Sequence, residues 1–154
     1  MNKEQKKMNN KGFSLVELII VIAIMAILVG ALAPQFIKYV ERSRKSTDCQ
    51  NVATIITALQ VYYADPMVAS ADQLSSGATV VLNTSGEATT TGNADKAMEA
   101  AGLTLADMQL KGSWPASSGN ISSYTITATI TNGALSFSGT TLATDYDIIK
   151  GKYK

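Results

Sequence analysis

The strongest pattern in the sequence is an apolar run near the N-terminus. From Phe13 to Ala33 the only polar side chains are Ser14 and Glu17. A helix of that length rises about 31 Å, which matches the hydrocarbon core of a bilayer. Four lysines and one glutamate precede the run within residues 1–11. This charge placement predicts a transmembrane helix with its N-terminus in the cytoplasm and the rest of the chain outside.

Helical spacing continues beyond the apolar run. Apolar side chains recur at three- and four-residue intervals from Phe36 to Tyr63, so we expect the helix to continue to about Ala64, before Asp65-Pro66. Residues 41–50 interrupt this pattern because they are polar nearly all round, which predicts a solvated stretch of helix. The second half of the helix is therefore amphipathic both before and after a polar band, which we define as residues 41–50.

The clearest β pattern lies near the C-terminus. Polar and apolar residues alternate without a break over 124–130, and Asn132-Gly133 is the strongest two-residue hairpin signal. This turn places Ile130 opposite Leu135, so the apolar residues of both strands share one face. We expect that face to pack on the helical segment 52–63.

The middle of the chain carries weaker signals. Serine, threonine, alanine and glycine dominate residues 67–93, which predicts a surface connection with one short strand at Ala78–Leu82. A short helix capped by Asn93 or Asp95 and ended by Gly102 should follow. Together these elements predict an α+β fold, in which a long N-terminal helix packs on a small antiparallel sheet.

Composition excludes several chemistries. The 154 residues include no histidine and one cysteine, so zinc sites, Ser-His-Asp and Cys-His machinery and intrachain disulfides are all excluded. We expect Cys49 to be a small buried residue, and Trp114 to be a core residue. The net charge of +1, without a basic cluster outside residues 1–11, argues against nucleic acid as the main partner. Asp145-Tyr146-Asp147 is only a fragment of a calcium pattern, so neither metal nor cofactor is predicted.

Glu17 is the residue that the apolar run does not explain. A charged side chain at a bilayer centre costs about 2.5–3.5 kcal/mol, and such residues are usually functional. No basic residue lies within reach on the same helix, because Lys11 is six positions earlier and Lys38 is far along the axis. Its partner would be another chain, or a new α-amine made by cutting the chain nearby. The alternative is a carboxylate that reaches the cytoplasmic headgroups.

Three simpler interpretations of the apolar run remain open at this point: a cleaved secretory signal peptide, a plain membrane anchor and a buried core helix. Ala31-Leu32-Ala33 fits a secretory cleavage site. The run is longer than the roughly 7–15 residues of a signal-peptide core, however, and it contains a carboxylate. These features disfavour the signal peptide.

Residues 11–18, KGFSLVEL, resemble the class III signal of type IV prepilins and pseudopilins. The resemblance implies the type IV pilin fold. It also implies that a membrane prepilin peptidase and methyltransferase cuts between Gly12 and Phe13 and N-methylates Phe13. Glu17 would then face the new Phe13 amine of a neighbouring subunit. Gly30 and Pro34 would weaken the helix, as proline does by lacking an amide donor.

The same resemblance implies an organisation for the whole chain. The expected divisions are a cleaved leader (1–12), a transmembrane or filament-core helix (13–34), an amphipathic half-helix (35–65), a connecting αβ region (66–120) and a β-sheet region (121–154). The chain would be a structural subunit rather than an enzyme. It would sit in the membrane before assembly and polymerise with copies of itself into a cell-surface filament, driven by an assembly ATPase and a platform protein.

Two other functions remain as alternatives. A pseudopilin of a type II secretion or competence system would share the same N-terminal motif. A plain membrane-anchored domain or enzyme would need no cut at Gly12, and the sequence offers it no histidine, phosphate-binding glycine loop or carboxylate cluster.

Overall fold

The computed structural model describes residues 12–116 and 119–139, together with residues 146–147 and 152–153; for residues 115–116, 119, 146–147 and 152–153 it describes only the backbone. The chain forms two compact units, one ending at Tyr39 and the other beginning at Val40. We describe each unit by itself and call the second one the head.

One long helix, α1, covers Leu15–Ala64, as the spacing of apolar residues predicts. Pro34 lies inside it. Because proline has no amide hydrogen, the carbonyl of Gly30, four residues earlier, lacks its usual donor. The helix is continuous across this point, and a kink or weakening there stays a prediction. In the first unit every described residue is exposed.

The head contains the remaining elements. They are β1 (Ala78–Asn83), β2 (Thr89–Thr90), α2 (Ala94–Ala100), a 3-10 turn (Leu105–Asp107), β3 (Pro115–Ala116), β4 (Gly119–Asn120), β5 (Ser123–Thr131), β6 (Ala134–Gly139), β7 (Tyr146–Asp147) and β8 (Lys152–Tyr153). Four of the strands form an antiparallel sheet in the order β2-β1-β5-β6. The predicted α+β arrangement is thus confirmed.

The C-terminal hairpin has the predicted register. Ile130 pairs with Leu135 and Ala128 pairs with Phe137. The turn residues Asn132 and Gly133 both have positive φ, 51° and 78°, as a type I′ turn requires. Alternation therefore sends one face of β5 into the core and leaves its threonines on the other face.

The core of the head lies between this sheet and the second half of α1. The helix contributes Val52, Ile55 and Leu59, and the sheet contributes residues that are at most 1% exposed: Ala78, Val80, Leu82, Tyr124, Ile126 and Ala128. Trp114 is also buried, as predicted. Cys49 is only half-buried, and it packs against the edge of this cluster.

The short strand expected at Ala78–Leu82 is confirmed as β1, whereas the surface connection predicted for the rest of 67–93 is wrong near its end. β1 pairs with β5 along its whole length, and its inward residues Ala78, Val80 and Leu82 are at most 1% exposed. Between β1 and α2, Ala88 is buried and β2 pairs with β1. The composition misled at β2 because threonine also suits a half-buried strand.

The prediction of a short helix before Gly102 is confirmed by α2, and Gly102 follows that helix with φ 69°. The predicted side-chain cap is wrong, because neither Asn93 nor any other residue makes a capping side-chain hydrogen bond there. The Asn93 amide instead donates to the carbonyls of Ala71 and Gln73, at 3.2 and 2.9 Å. It therefore ties the preceding loop to the start of α2.

Several predictions lie outside the described residues. These are the leader over 1–11 and the side chains of Asp145-Tyr146-Asp147. The described backbone of β7 pairs with that of β8.

Candidate processing and assembly site

The predicted cleavage site lies just before the start of α1. Gly12, Phe13 and Ser14 are not helical, and the helix begins at Leu15. The Phe13 side chain is 90% exposed. The Gly12–Phe13 peptide bond is thus in irregular, accessible backbone rather than inside the helix.

Ser14 and Glu17 form a capping box at this helix end. The Ser14 carbonyl accepts the first helical hydrogen bond, from the amide of Leu18, and the Ser14 hydroxyl accepts one from the amide of Val16 at 3.3 Å. The Ser14 amide donates to the Glu17 carboxylate at 2.8 Å. This reciprocal pattern satisfies amides that a helix start otherwise leaves unpaired.

The capping box gives Glu17 a local role beside the expected charge pairing, which stays a prediction. The structure gives the carboxylate a partner in its own chain, the Ser14 amide. The signal was readable as Ser-x-x-Glu immediately before an apolar run. Among the described residues, no lysine or arginine forms an ion pair with Glu17. The ion pair that these residues contain joins Lys96 and Asp72.

The apolar side chains that follow Glu17 face outward in every direction. Phe13 to Leu32 includes fourteen large apolar residues that are 46–90% exposed, and none of the most apolar stretch is buried in the unit. Among the described helices, α1 alone is long and apolar enough to cross a membrane, a property that signal sequences share. So large an exposed apolar surface requires lipid or other protein to cover it.

The polar band at 41–50 makes a second site that the sequence did not predict. Asp48 is 1% exposed, and its carboxylate accepts hydrogen bonds from the amides of Lys111 and Gly112 and from the indole Nε1 of Trp114, each at 2.8 Å. Glu41 accepts a hydrogen bond from the amide of Ser113. The band is therefore not solvated all round, because one of its faces binds the loop 111–114.

Close packing reinforces this contact. The ammonium of Lys45 lies 5.2 Å from the centre of the Trp114 ring. A Cβ on Gly112 would come within 2.9 Å of the Asp48 carboxylate and 2.8 Å of Lys45 Cγ, so only glycine fits there without displacement. The contact is a structural clamp in the head, and it brings together no set of groups for catalysis.

No group of three or more histidine, cysteine, aspartate or glutamate side chains able to hold a metal occurs within the described ranges. Among the described residues, a shifted pKa is found for Lys96. Its pKa is raised, first by its hydrogen bond to Asp72 and also by the charge of that carboxylate. This pair lies on the head surface and is remote in sequence from Ser14 and Glu17.

Residues 7–33 match the family described as the prokaryotic N-terminal methylation motif. This chain carries that motif. The match covers the predicted cut site, the capping box and most of the apolar run, and so agrees with the resemblance to type IV prepilins.

Relatives extend the similarity beyond the methylation motif. The chain is 39% identical over 56 residues to the type IV major pilin protein PilA of Myxococcus xanthus (36% of this chain, 26% of that protein). It is 38% identical over 77 residues to the fimbrial protein EcpC of Eikenella corrodens (50% of each chain). It is 40% identical over 68 residues to prepilin peptidase-dependent protein A of Clostridium perfringens (44% and 48%).

The matched part spans between about a quarter and half of these relatives' lengths. Two of their names are those of a pilin and a fimbrial protein, and the third is that of a prepilin peptidase-dependent protein, in agreement with the prediction that the chain is not an enzyme. No solved structure matches the chain.

Proposed function

We propose that this chain is a type IV pilin, made as a prepilin and polymerised through α1 into a cell-surface filament. The observation that carries the proposal is the combination, at one helix end, of the methylation motif over residues 7–33 with an apolar helix that its own unit leaves uncovered. The names of the three relatives support it.

Processing is the first step of this proposal. A prepilin peptidase cuts between Gly12 and Phe13 at the cytoplasmic face, and Phe13 is then N-methylated. The irregular backbone at residues 12–14 supports this step, since a protease must reach a bond that is not folded into a helix. The cut leaves the new amine one residue before the Ser14 amide that already binds Glu17.

Assembly is the second step. Glu17 pairs with the Phe13 amine of a neighbouring subunit, so two opposite charges neutralise one another among apolar helices. Removal of one member of a buried pair typically costs about 3–5 kcal/mol. Burial of the exposed apolar helix among copies drives assembly. An assembly ATPase and an inner-membrane platform protein supply the work of adding subunits.

Mass spectrometry of the protein from its native host tests the processing step. Intact mass and the N-terminal peptide should show a chain beginning at N-methylated Phe13. A chain that begins at Met1 in the membrane would indicate an ordinary anchored protein. A chain that begins at Pro34 would make the apolar run a discarded signal peptide.

A Glu17→Ala variant tests the assembly step. We expect normal processing and normal subunit levels in the membrane, with little or no filament on the cell surface. Glu87→Ala, a change of the same type at an exposed glutamate between β1 and β2, is the control. Glu17→Ala subunits that assemble at the wild-type rate would contradict the pairing of Glu17 with a neighbour.

A further inference from the structure

A groove of about 500 Å³ lies in the head between the last four turns of α1 and α2. We call it the α1–α2 groove. Its lining includes Thr54, Thr57 and Val61 from α1, Asp65 just after α1, and Ala97 and Ala100 from α2. The α1 residues of the core cluster, Val52, Ile55 and Leu59, do not line the groove, whereas Ala97 on α2 belongs to both.

The groove is more apolar than its sequence suggests. The hydroxyls of Thr54 and Thr57 donate to the helix carbonyls of Gln50 and Ala53, each at 2.9 Å. These hydroxyl hydrogens are therefore used within the helix. Val61 is 65% exposed although it is a large aliphatic residue. An apolar occupant would cover it favourably.

One end of the groove is negatively charged. Asp65 lies in its lining, and the amide of Met67 donates to the Asp65 carboxylate at 2.8 Å, which fixes its position. Glu99 is exposed on α2, next to the groove residue Ala100. Neither carboxylate belongs to an ion pair within the part of the chain that the structure describes. The occupant should therefore be apolar along most of its length and basic at one end.

The chain itself contains a segment with that composition. Phe36, Ile37 and Tyr39 are 68%, 67% and 64% exposed, and Arg42 and Arg44 follow, also exposed. The arginines have no ion pair in the described ranges either. Phe36, Tyr39 and Arg42 recur at three-residue intervals and so share one face of the helix, with the basic residue last. The groove residues from Thr57 to Asp65 have the matching order, with the acidic residue last.

A single offset matches both features. Val61 is 22 residues after Tyr39, and Asp65 is 23 residues after Arg42. A second helix lying alongside in the same direction, displaced by about 22 residues or about 33 Å, brings Tyr39 to Val61 and Arg42 to Asp65. Copies inserted in one membrane have the same direction, which supports a parallel arrangement.

We propose that the α1–α2 groove receives residues 36–44 of a second copy of this chain, in parallel and displaced by about 22 residues. Such a contact joins two different surfaces, so each copy can both give and receive it. A contact of that kind extends into an open helical array when its rotation does not close a ring. The inference rests on the proposed function, because it names a contact within the proposed filament.

Disulfide cross-linking tests this register. In a Cys49→Ala background, Val61→Cys is combined with Phe36→Cys, Ile37→Cys or Tyr39→Cys, and filaments sheared from the native host are treated with a mild oxidant. A disulfide needs Cβ atoms about 3.5–4.5 Å apart. We expect at least one of these pairs to give a ladder of dimers and higher multimers. Each single-cysteine variant should give no ladder.

The matched control combines Val61→Cys with Gln50→Cys, which is exposed but displaced by only 11 residues. Filaments that form normally and give a ladder with none of the three test pairs would overturn the inference and leave the proposed function intact. A ladder from the control pair as strong as that from the test pairs would also overturn it. Failure of the wild-type chain to form filaments would instead overturn the proposed function.

Charge exchange provides a second test. We expect Asp65→Arg to reduce filament yield about tenfold, because like charges placed across a contact repel strongly. Arg42→Asp should do the same, and the two changes together should restore at least half of the wild-type yield. Yield is compared at equal membrane levels of subunit. Normal yield from Asp65→Arg alone would overturn the charge pairing.

Discussion

Asp48 keeps a carboxylate inside the head through hydrogen bonds rather than through a cation. Two backbone amides and an indole donate to it, and all three donors come from the loop 111–114. This one side chain thus fastens the loop to α1 and fixes the position of the buried Trp114.

Asp48→Asn should lower the free energy of unfolding by about 2–3 kcal/mol, because the amide nitrogen cannot accept the bonds of these buried donors. Urea denaturation of the full chain in detergent, followed by far-ultraviolet circular dichroism, measures the change. Asp107→Asn, at an exposed aspartate, is the control and should change stability by less than about 0.5 kcal/mol. Equal stabilities for the two variants would contradict this account of Asp48.

Lys96 should make a small, pH-dependent contribution to stability. Its pKa is raised above the ordinary 10.5 by Asp72, so the contribution is fully present below pH 10.5 and is lost as pH rises through the folded pKa. Lys96→Met should therefore lessen the loss of stability above pH 10.5. Parallel urea titrations at pH 9 and pH 11 would show it, and an unchanged difference between the two pH values would refute it.

At the scale of elements, the sheet depends on the alternation in β5. Tyr124, Ile126 and Ala128 are fully buried, whereas the threonines between them are not. The hairpin turn, the register and the packed face are mutually consistent, and this consistency made the hairpin predictable from the sequence.

Ile126→Ala should lower the free energy of unfolding by about 2–5 kcal/mol, since it leaves a cavity against β1 and α1. Thr127→Ala, the adjacent residue on the opposite face, is the matched control and should cost less than about 1 kcal/mol. The same urea titration measures both. A larger loss for Thr127→Ala than for Ile126→Ala would mean that the register is wrong.

Pro34 should create a local weak point in α1, because the Gly30 carbonyl lacks its amide donor. Pro34→Ala restores that donor, so amide hydrogen exchange over residues 30–35 should slow in detergent micelles. Ala31→Leu, which changes side-chain bulk without adding a donor, is the control. Identical exchange in Pro34→Ala and the wild-type chain would contradict a weakened helix.

The sequence predicted those elements whose signal is periodic and local. The extent of α1, the hairpin and α2 all followed from spacing and turn residues. The strand β1 was predicted, but its pairing with β5 was not, because the pairing joins residues 40 to 50 positions apart. The clamp at Asp48 was missed for the same reason, since its donors lie more than sixty residues away and two of them are backbone amides.

For the whole molecule, the sequence predicts the methylation motif and the apolar helix, but it does not predict the long-range contacts inside the head. The pattern Ser-x-x-Glu also predicts the capping box at Ser14 and Glu17, although the charge of Glu17 by itself points to a cation rather than to this local hydrogen bond. A local hydrogen bond and an intermolecular charge pair are compatible, because a carboxylate accepts several hydrogen bonds.

The uncovered apolar helix predicts how the whole chain partitions in the cell. Before assembly it should remain in the membrane pellet after extraction with alkaline carbonate. Ile24→Lys, in the middle of the run, should cost about 2.5–3.5 kcal/mol on insertion and lower the share of the chain that stays in the membrane pellet. Gln35→Lys, beyond the run, is the control. Equal membrane retention of both variants would contradict a transmembrane helix.

The sequence contains a single tryptophan, and it is the one held between Asp48 and Lys45 in the head. Its intrinsic fluorescence therefore comes from one place in the chain. Emission should shift to longer wavelength when the loop 111–114 leaves α1 and water reaches the indole. The state of the purified chain's head can thus be followed optically in a lipid vesicle, a micelle or a filament, without any label and without a signal from the apolar helix.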